Sequence, residues 1–195
     1  EDAPLLTFIV YCGPKGYSMP SPADIISLEE FPAIRDGLGK IVVTSGGYDP
    51  VHPGHASCLI ESSQYGDTLV VIVNDDGFLR RKKGKPFMDL AARCRVVSCI
   101  KGVDYVIPFV IEQDDTVCEA LRVIRPHIFT KGGDRTDLTN IPEWTICQEN
   151  GTEIVTGVGV DKAWSSSDYL SDWGEYWKGR KDERTEVRKD GSTKG

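Results

Sequence analysis

Two of the three histidines in this chain, His52 and His55, stand on either side of Pro53-Gly54, and a glycine-rich run, Gly46-Gly47-Tyr48-Asp49-Pro50-Val51, leads into them. Imidazoles at that spacing can donate hydrogen bonds, or carry positive charge, toward oxygens that become more negative as a phosphorus centre is attacked. Gly46, Gly47 and Gly54 would let backbone N–H groups approach phosphate oxygens closely. Three further groups suit the same kind of ligand. Asn74-Asp75-Asp76 is followed by Arg80-Arg81-Lys82-Lys83-Gly84-Lys85, whose cations, Lys83 among them, could clamp phosphates. Lys131-Gly132-Gly133-Asp134 combines a cation, a permissive backbone and a carboxylate, and Ser165-Ser166-Ser167-Asp168 offers hydroxyls and N–H groups at a helix start. Each also has a plain structural account: charge runs are usually solvated faces, Lys-Gly-Gly-Asp can be a tight loop, and serines can simply cap a helix. His127 begins a strand and reads as structural.

What makes these groups converge is the alternation of elements from Lys40 onward. Ile41-Val42-Val43 reads as a buried strand, His55 to Tyr65 as a helix closed by Gly66, and Asp67 to Val73 as a second strand. A helix capped by Asp89 runs to Lys101 with Leu90, Cys94, Val97 and Ile100 on one face, and Gly102 ends it. Val103 to Ile107 is a third strand. Asp114 or Asp115 caps a helix with Val117, Leu121 and Ile124 on its apolar face, which Pro126 cannot continue. His127 to Thr130, a short helix from about Pro142 to Glu149, and Glu153 to Val160 complete five strands, with a last helix opening near Ser167. Short strands alternating with helices predict an α/β fold around a parallel sheet. Ligands bind such sheets beyond the carboxyl ends of the strands, and all four chemical groups follow strands directly.

Composition bounds the rest. At 195 residues, with 39% hydrophobic and 27% charged side chains, the chain suits one folded domain. We divide it into an N-terminal extension packed on the core (1–39, with a strand-like run Phe8 to Tyr11), a central domain (40–173), and a charged, flexible tail (174–195). The net charge of -7 argues against a nucleic-acid partner, which normally demands a clustered basic surface. Cys12, Cys58, Cys94, Cys99, Cys118 and Cys147 form no C-x-x-C pair, so neither a zinc site nor a disulfide scaffold is implied. Apolar runs such as Thr68 to Val73 are too short to span a bilayer, and Leu5 to Tyr11 lacks the flanks of a signal peptide, so no membrane partner and a cytoplasmic location are expected. The chain begins at Glu1 and not at Met, which leaves a fragment or a processed start open.

Taken together, these residues resemble the HxGH nucleotidyltransferase superfamily, in which G-G-x-D-P-x-H-x-G-H follows the first strand of a Rossmann-like sheet. The nearest likeness is to the cytidylyltransferase-like branch, and within it to the adenylyltransferases of ADP-heptose synthesis, which act on D-glycero-β-D-manno-heptose 1-phosphate. Arg80-Arg81-Lys82-Lys83-Gly84 resembles their basic loop, Lys131-Gly132-Gly133-Asp134 their K-G-G-D, and Ser165-Ser166-Ser167-Asp168 their S-T-S/T-D. The likeness covers about residues 40 to 170. Arg135 stands where that relative has an aromatic residue, and Ala163-Trp164 replace a Gly-containing turn. The resemblance implies a doubly wound parallel sheet of five strands with helices on both faces. It also implies transfer of AMP from ATP to a sugar phosphate, with Mg²⁺ accompanying the triphosphate and pyrophosphate leaving. His52, His55 and Lys83 would be catalytic. Gly46, Gly47, Tyr48, Gly54, Arg93, Lys131, Gly132, Gly133, Asp134, Ser165, Ser166 and Ser167 would bind the nucleotide, and Asp49, Asn74, Asp75 and Arg81 the acceptor. A homodimer is implied in the same way. Two alternatives stand beside this one: a cytidylyltransferase using CTP on glycerol 3-phosphate or a related alcohol phosphate, and a catalytically inactive nucleotide-binding or assembly subunit.

Overall fold

The computed structural model describes residues 21–110, 116–133, 142–160 and 163–190, the last ten of these by backbone alone. The strand-like run Phe8 to Tyr11, the caps Asp114 and Asp115, and Asp134 and Arg135 lie outside the described residues.

Among the described residues, six parallel strands form one sheet: β1 (Asp24–Ile25), β2 (Ile41–Gly46), β3 (Thr68–Asn74), β4 (Tyr105–Phe109), β5 (Ile128–Gly132) and β6 (Glu153–Val158), in the order β1-β4-β3-β2-β5-β6. Five are the expected strands. The sixth, β1, is a two-residue edge pairing Asp24 with Tyr105 and Ile25 with Val106, too short to leave a periodic signal. All seven residues of β3 and the first four of β2 are buried, which is why both read as unbroken apolar runs. His127, read as structural, accepts a hydrogen bond from the Ile41 N–H on its Nδ1 at 2.9 Å and ties the start of β5 to β2.

The helices are α1 (Phe31–Ile34), α2 (Pro53–Ser62), α3 (Asp76–Lys83), α4 (Leu90–Ser98), α5 (Cys118–Ile124), α6 (Trp144–Asn150) and α7 (Ser166–Asp190). They cover both faces of the sheet, because side chains alternate along each strand. Val43, Ile72, Ile107 and Phe129 pack against Phe31 of α1, Leu121 and Ile124 of α5, and Ile146 of α6. Val42, Val71, Val106 and Ile128 pack on the other side against Leu59 of α2 and Cys94 and Val97 of α4. Asp89 caps α4 as expected, accepting from Ala92 N–H at 2.8 Å.

Two segments differ from expectation. The basic run read as a loop is the last turn of α3: Asp75 caps that helix by accepting from Gly77 and Phe78 N–H, Leu79 is buried, and Gly84 at φ +83° ends it. Four cations at a helix C-terminus are favoured by the helix dipole, but they hide the apolar periodicity. The charged segment from 174, expected as a tail, continues α7 as helix to Asp190. Trp173 stacks on Tyr176 along its exposed side, and Trp177 meets both rings edge to face. Among the described residues no helix is long and apolar enough to cross a membrane.

The chain order places one crevice. From β2 the sheet grows through β3 and β4 on one side, then jumps back to β5 and β6 on the other. The loops leaving β2 and β5 therefore diverge, opening a gap at the carboxyl ends of the strands.

Candidate active site

That gap is a cleft of about 720 Å³. Its floor is the end of β2 (Thr44, Ser45, Gly46), supported by a buried hydroxyl network in which Thr44 Oγ1 donates to Thr130 O at 3.1 Å and Thr130 Oγ1 lies 2.8 Å from Ser62 Oγ. Gly47, Tyr48, His52, Gly54 and His55 form one wall; Asn74, Phe78, Arg81 and Lys82 a second; Lys131, Gly132, Gly133 and Glu143 a third. Trp164 stands over Gly54 at the mouth.

The histidines owe their geometry to the start of α2. His52 is the N-cap, in extended conformation (φ -139°, ψ 170°), and Pro53 opens the helix with the fixed φ that position favours. The His55 N–H donates to His52 Nδ1 at 3.3 Å while the His52 N–H donates to His55 Nδ1 at 3.4 Å, so two otherwise orphaned helix-end donors are filled reciprocally. The rings stack with centroids 3.7 Å apart and planes 22° from parallel. A nitrogen that accepts from the backbone carries no proton, so each neutral ring holds its proton on Nε2, the atom left for the cleft. Burial, reinforced by His52 and Lys83, pushes His55 down to about 4. Burial and Lys83 also lower His52. Of the two chemistries available to the pair, the neutral donor is therefore the resting form. Gly54 between them leaves room for the His52 ring, because a Cβ there would stand 3.1 Å from His52 Cε1.

Several residues expected to contact ligand make hydrogen bonds within the protein, most of them around the loop that carries the histidines. Arg93 is fully buried. Its Nη1 donates to Gly47 O at 2.7 Å and Asn74 O at 2.6 Å, its Nε to Met88 O at 3.1 Å, and its Nη2 pairs with Asp76 Oδ1 at 2.7 Å. Those bonds tie the glycine loop to the end of β3 and to the segment before α4. Asp49, only 1% exposed, accepts from Phe87 N–H and Met88 N–H, each at 2.8 Å, and clasps the segment between α3 and α4. Lys83 Nζ donates to Asp49 O at 2.8 Å, and burial lowers its pKa. Asp75 is spent capping α3, and Ser166 Oγ donates to Pro50 O at 2.9 Å. Asp49, Asp75, Lys83, Arg93, Ser165, Ser166 and Ser167 thus lie off the cleft lining, whereas Gly46, Gly47, Tyr48, His52, Gly54, His55, Asn74, Arg81, Lys131, Gly132 and Gly133 form part of it.

The cleft also holds residues that the sequence did not single out. Glu143, buried at the start of α6, pairs with Lys131 across 3.3 Å. Phe78 and Val117 supply apolar wall. An acidic residue opening a helix reads as ordinary dipole complement, so nothing in the sequence marked Glu143. Cys58 borders the site, but burial raises its thiol pKa and leaves it a poor nucleophile. Among the described residues no three His, Cys, Asp or Glu side chains cluster to hold a metal ion.

Comparison with known proteins agrees with this geometry. Residues 43–187 match the family described as cytidylyltransferase-like. The chain is 38% identical over 123 residues to the bifunctional protein HldE of Methylococcus capsulatus, a stretch that covers 62% of this chain and 25% of that relative. It therefore spans about a quarter of the length of the curated relative it matches. The lipopolysaccharide core biosynthesis protein from Thermoplasma volcanium GSS1 superposes with a TM-score of 0.54 at 30% identity, covering 63% of this chain and 99% of that one. Pantoate-beta-alanine ligase from Francisella tularensis, complexed with beta-gamma ATP and beta-alanine, shares the fold with a TM-score of 0.51 at 14% identity, over 73% of this chain and 68% of that one.

Proposed function

The chain belongs to the cytidylyltransferase-like family of nucleotidyltransferases, and from that premise we propose that it transfers AMP from ATP to a sugar phosphate of the heptose 1-phosphate kind. The observation that carries this reading is the stacked, reciprocally bonded pair His52–His55, whose Nε2–H groups are left for a cleft lined by cations. The Thermoplasma volcanium relative, a lipopolysaccharide core biosynthesis protein, favours a sugar as acceptor. So does the resemblance of the basic, K-G-G-D and serine segments to the adenylyltransferases of ADP-heptose synthesis.

In the reaction, an acceptor phosphate oxygen attacks the α-phosphorus of ATP in line with the bond to the bridging oxygen. That bond breaks, and its electron pair leaves with pyrophosphate. No protein nucleophile is needed. The Nε2–H groups of His52 and His55 donate to the α-phosphate oxygens as their charge grows, and the N-terminus of α2 adds its dipole. Backbone N–H groups of Gly47 and Tyr48 join them. The nucleoside lies on the α2 side, against Gly132, Gly133 and Trp164. The acceptor lies on the α5 and α6 side, between Asn74, Phe78 and Glu143, with Arg81 and Lys82 toward its phosphate. Lys83 acts by holding Asp49 O, and so the loop, in place. Mg²⁺ would accompany the triphosphate and offset its negative charge. A cytoplasmic homodimer with no nucleic-acid partner completes the reading.

The test is pyrophosphate release from ATP and from CTP, each offered heptose 1-phosphate, hexose 1-phosphates and glycerol 3-phosphate, with products weighed by mass spectrometry. ATP with a sugar 1-phosphate is the expected pair. Turnover confined to CTP and glycerol 3-phosphate would replace this reading with the cytidylyltransferase one, and nucleotide binding without product across the panel would favour an inactive subunit.

A further inference from the structure

Two buried side-chain acceptors, Asn74 Oδ1 and Glu143 Oε2, have no hydrogen-bond partner among the described residues, and both residues line the cleft. Their exposures are 7% and 5%. Unfilled buried acceptors are uncommon and costly, and two in one cleft point to donors that arrive with a ligand.

Among the described residues neither of these two oxygens caps a helix or receives a backbone N–H. Glu143 occupies the N-cap of α6, yet its side chain caps nothing. Asn74 ends β3, and its main-chain carbonyl, not its amide, receives Arg93. Glu143 Oε2 lies 3.3 Å from Lys131 Nζ but outside hydrogen-bonding geometry, so the lysine balances the charge without filling the lone pairs.

Their placement indicates which part of the substrate they meet. Phe78 and Val117, which share this part of the cleft, pack into the core on the α5 and α6 face of the sheet, whereas α2, which carries the histidines, lies on the opposite face. Asn74 is on β3 and Lys131, with Glu143 beside it, is on β5; β2 runs between them. Two strand spacings are about 10 Å, a width that takes a sugar ring with its hydroxyls. A phosphate ionised at neutral pH presents mainly acceptors to this wall, while a polyhydroxylated ring presents several donors.

We propose that Glu143 and Asn74 read ring hydroxyls of the acceptor, with Glu143 as the specificity-determining residue that favours polyhydroxylated ring phosphates over short alcohol phosphates. This rests on the reading above that the acceptor is a sugar phosphate. A hydroxyl bonded to Glu143 delivers its proton toward the carboxylate without transfer, so the group sets KM for the acceptor and leaves the chemical step to the histidines.

The experiment measures steady-state kinetics of wild type, Glu143→Ala, Glu143→Gln and Asn74→Ala with ATP against heptose 1-phosphate, mannose 1-phosphate and their singly deoxygenated analogues. Losing a hydrogen bond to a charged acceptor should raise the acceptor KM about 10- to 100-fold in Glu143→Ala, with KM for ATP within about twofold. Glu143→Gln, which keeps an acceptor oxygen, should recover part of the loss. For one deoxygenated analogue, already lacking the bonded hydroxyl, wild type and Glu143→Ala should have the same KM. Because the Glu143 side chain caps nothing, α6 should survive its truncation; if circular dichroism shows otherwise, Asn74→Ala carries the same comparison. A rise in KM for ATP alone would assign these acceptors to the base and overturn the inference, as would an equal loss on every analogue or none at all. Turnover of sugar phosphates without hydroxyl dependence sinks the inference alone; absence of both turnover and calorimetric binding of all sugar phosphates sinks it together with the acceptor reading.

Discussion

Replacing His52 by Asn separates the chemistry of this residue from its part in folding. As N-cap of α2, His52 receives the His55 N–H through Nδ1. The Asn amide oxygen is among the best groups for that position, whereas Ala at an N-cap costs about 0.5–2 kcal/mol. At about 2–4 °C per kcal/mol for a chain of this size, His52→Ala should lower Tm by roughly 1–8 °C and His52→Asn by no more than about 2 °C. Both variants remove the Nε2–H donor. Loss of one preorganised donor to a developing phosphate charge costs about 10²- to 10³-fold in kcat, or roughly 2.7–4 kcal/mol. A coupled pyrophosphate-release assay at saturating ATP and acceptor, run beside thermal unfolding, reads both quantities. The expected pattern is an equal kcat loss in the two variants with unequal Tm. If His52→Asn kept kcat within about threefold of wild type, or if activity fell only in step with Tm, the donor role assigned to Nε2–H would be refuted.

Two other outcomes follow from the same site. Arg93→Met leaves the Asp76 carboxylate without its buried partner and frees three carbonyls, so stability should fall by about 3–5 kcal/mol in chemical denaturation; a loss below about 1 kcal/mol would show that Arg93 does not hold the glycine loop. His55 stays neutral down to about pH 4 in the folded chain, whereas an unfolded histidine protonates near 6.5. The unfolded state thus binds more protons between those values, and stability should rise with pH across that window. Tm of wild type and His55→Asn between pH 4 and 7 checks this, with a weaker slope expected in the variant.

How much of this was legible in the sequence depended on the range of the interaction. Buried parallel strands such as Thr68–Asn74 are apolar throughout, and caps such as Asp89 act on a residue three positions away, so both leave local signatures. The α/β class, five of the strands and the place of His52 and His55 beyond the first of these followed from such signatures. The edge strand Asp24–Ile25 and helix Asp76–Lys83 escaped them, the first through shortness and the second because only Phe78 and Leu79 interrupt its polar run.

The allocation of polar residues was decided by the tertiary structure. Asp49, Arg93 and Ser166 have the chemistry of ligand-binding groups, yet each finds its partner far along the chain: Phe87 and Met88, Gly47 and Asn74, and Pro50. No periodicity encodes such pairings, because they exist only once the sheet has brought the loops together. The same closure brought Glu143 beside Lys131 at the cleft and, among the described residues, left its Oε2 without a hydrogen bond. The sequence by itself determined that a phosphate-binding loop would meet a helix start at His52-Pro53-Gly54-His55. That both rings turn Nδ1 inward, and so keep Nε2–H for chemistry, was decided by two backbone hydrogen bonds that form only when α2 begins at Pro53.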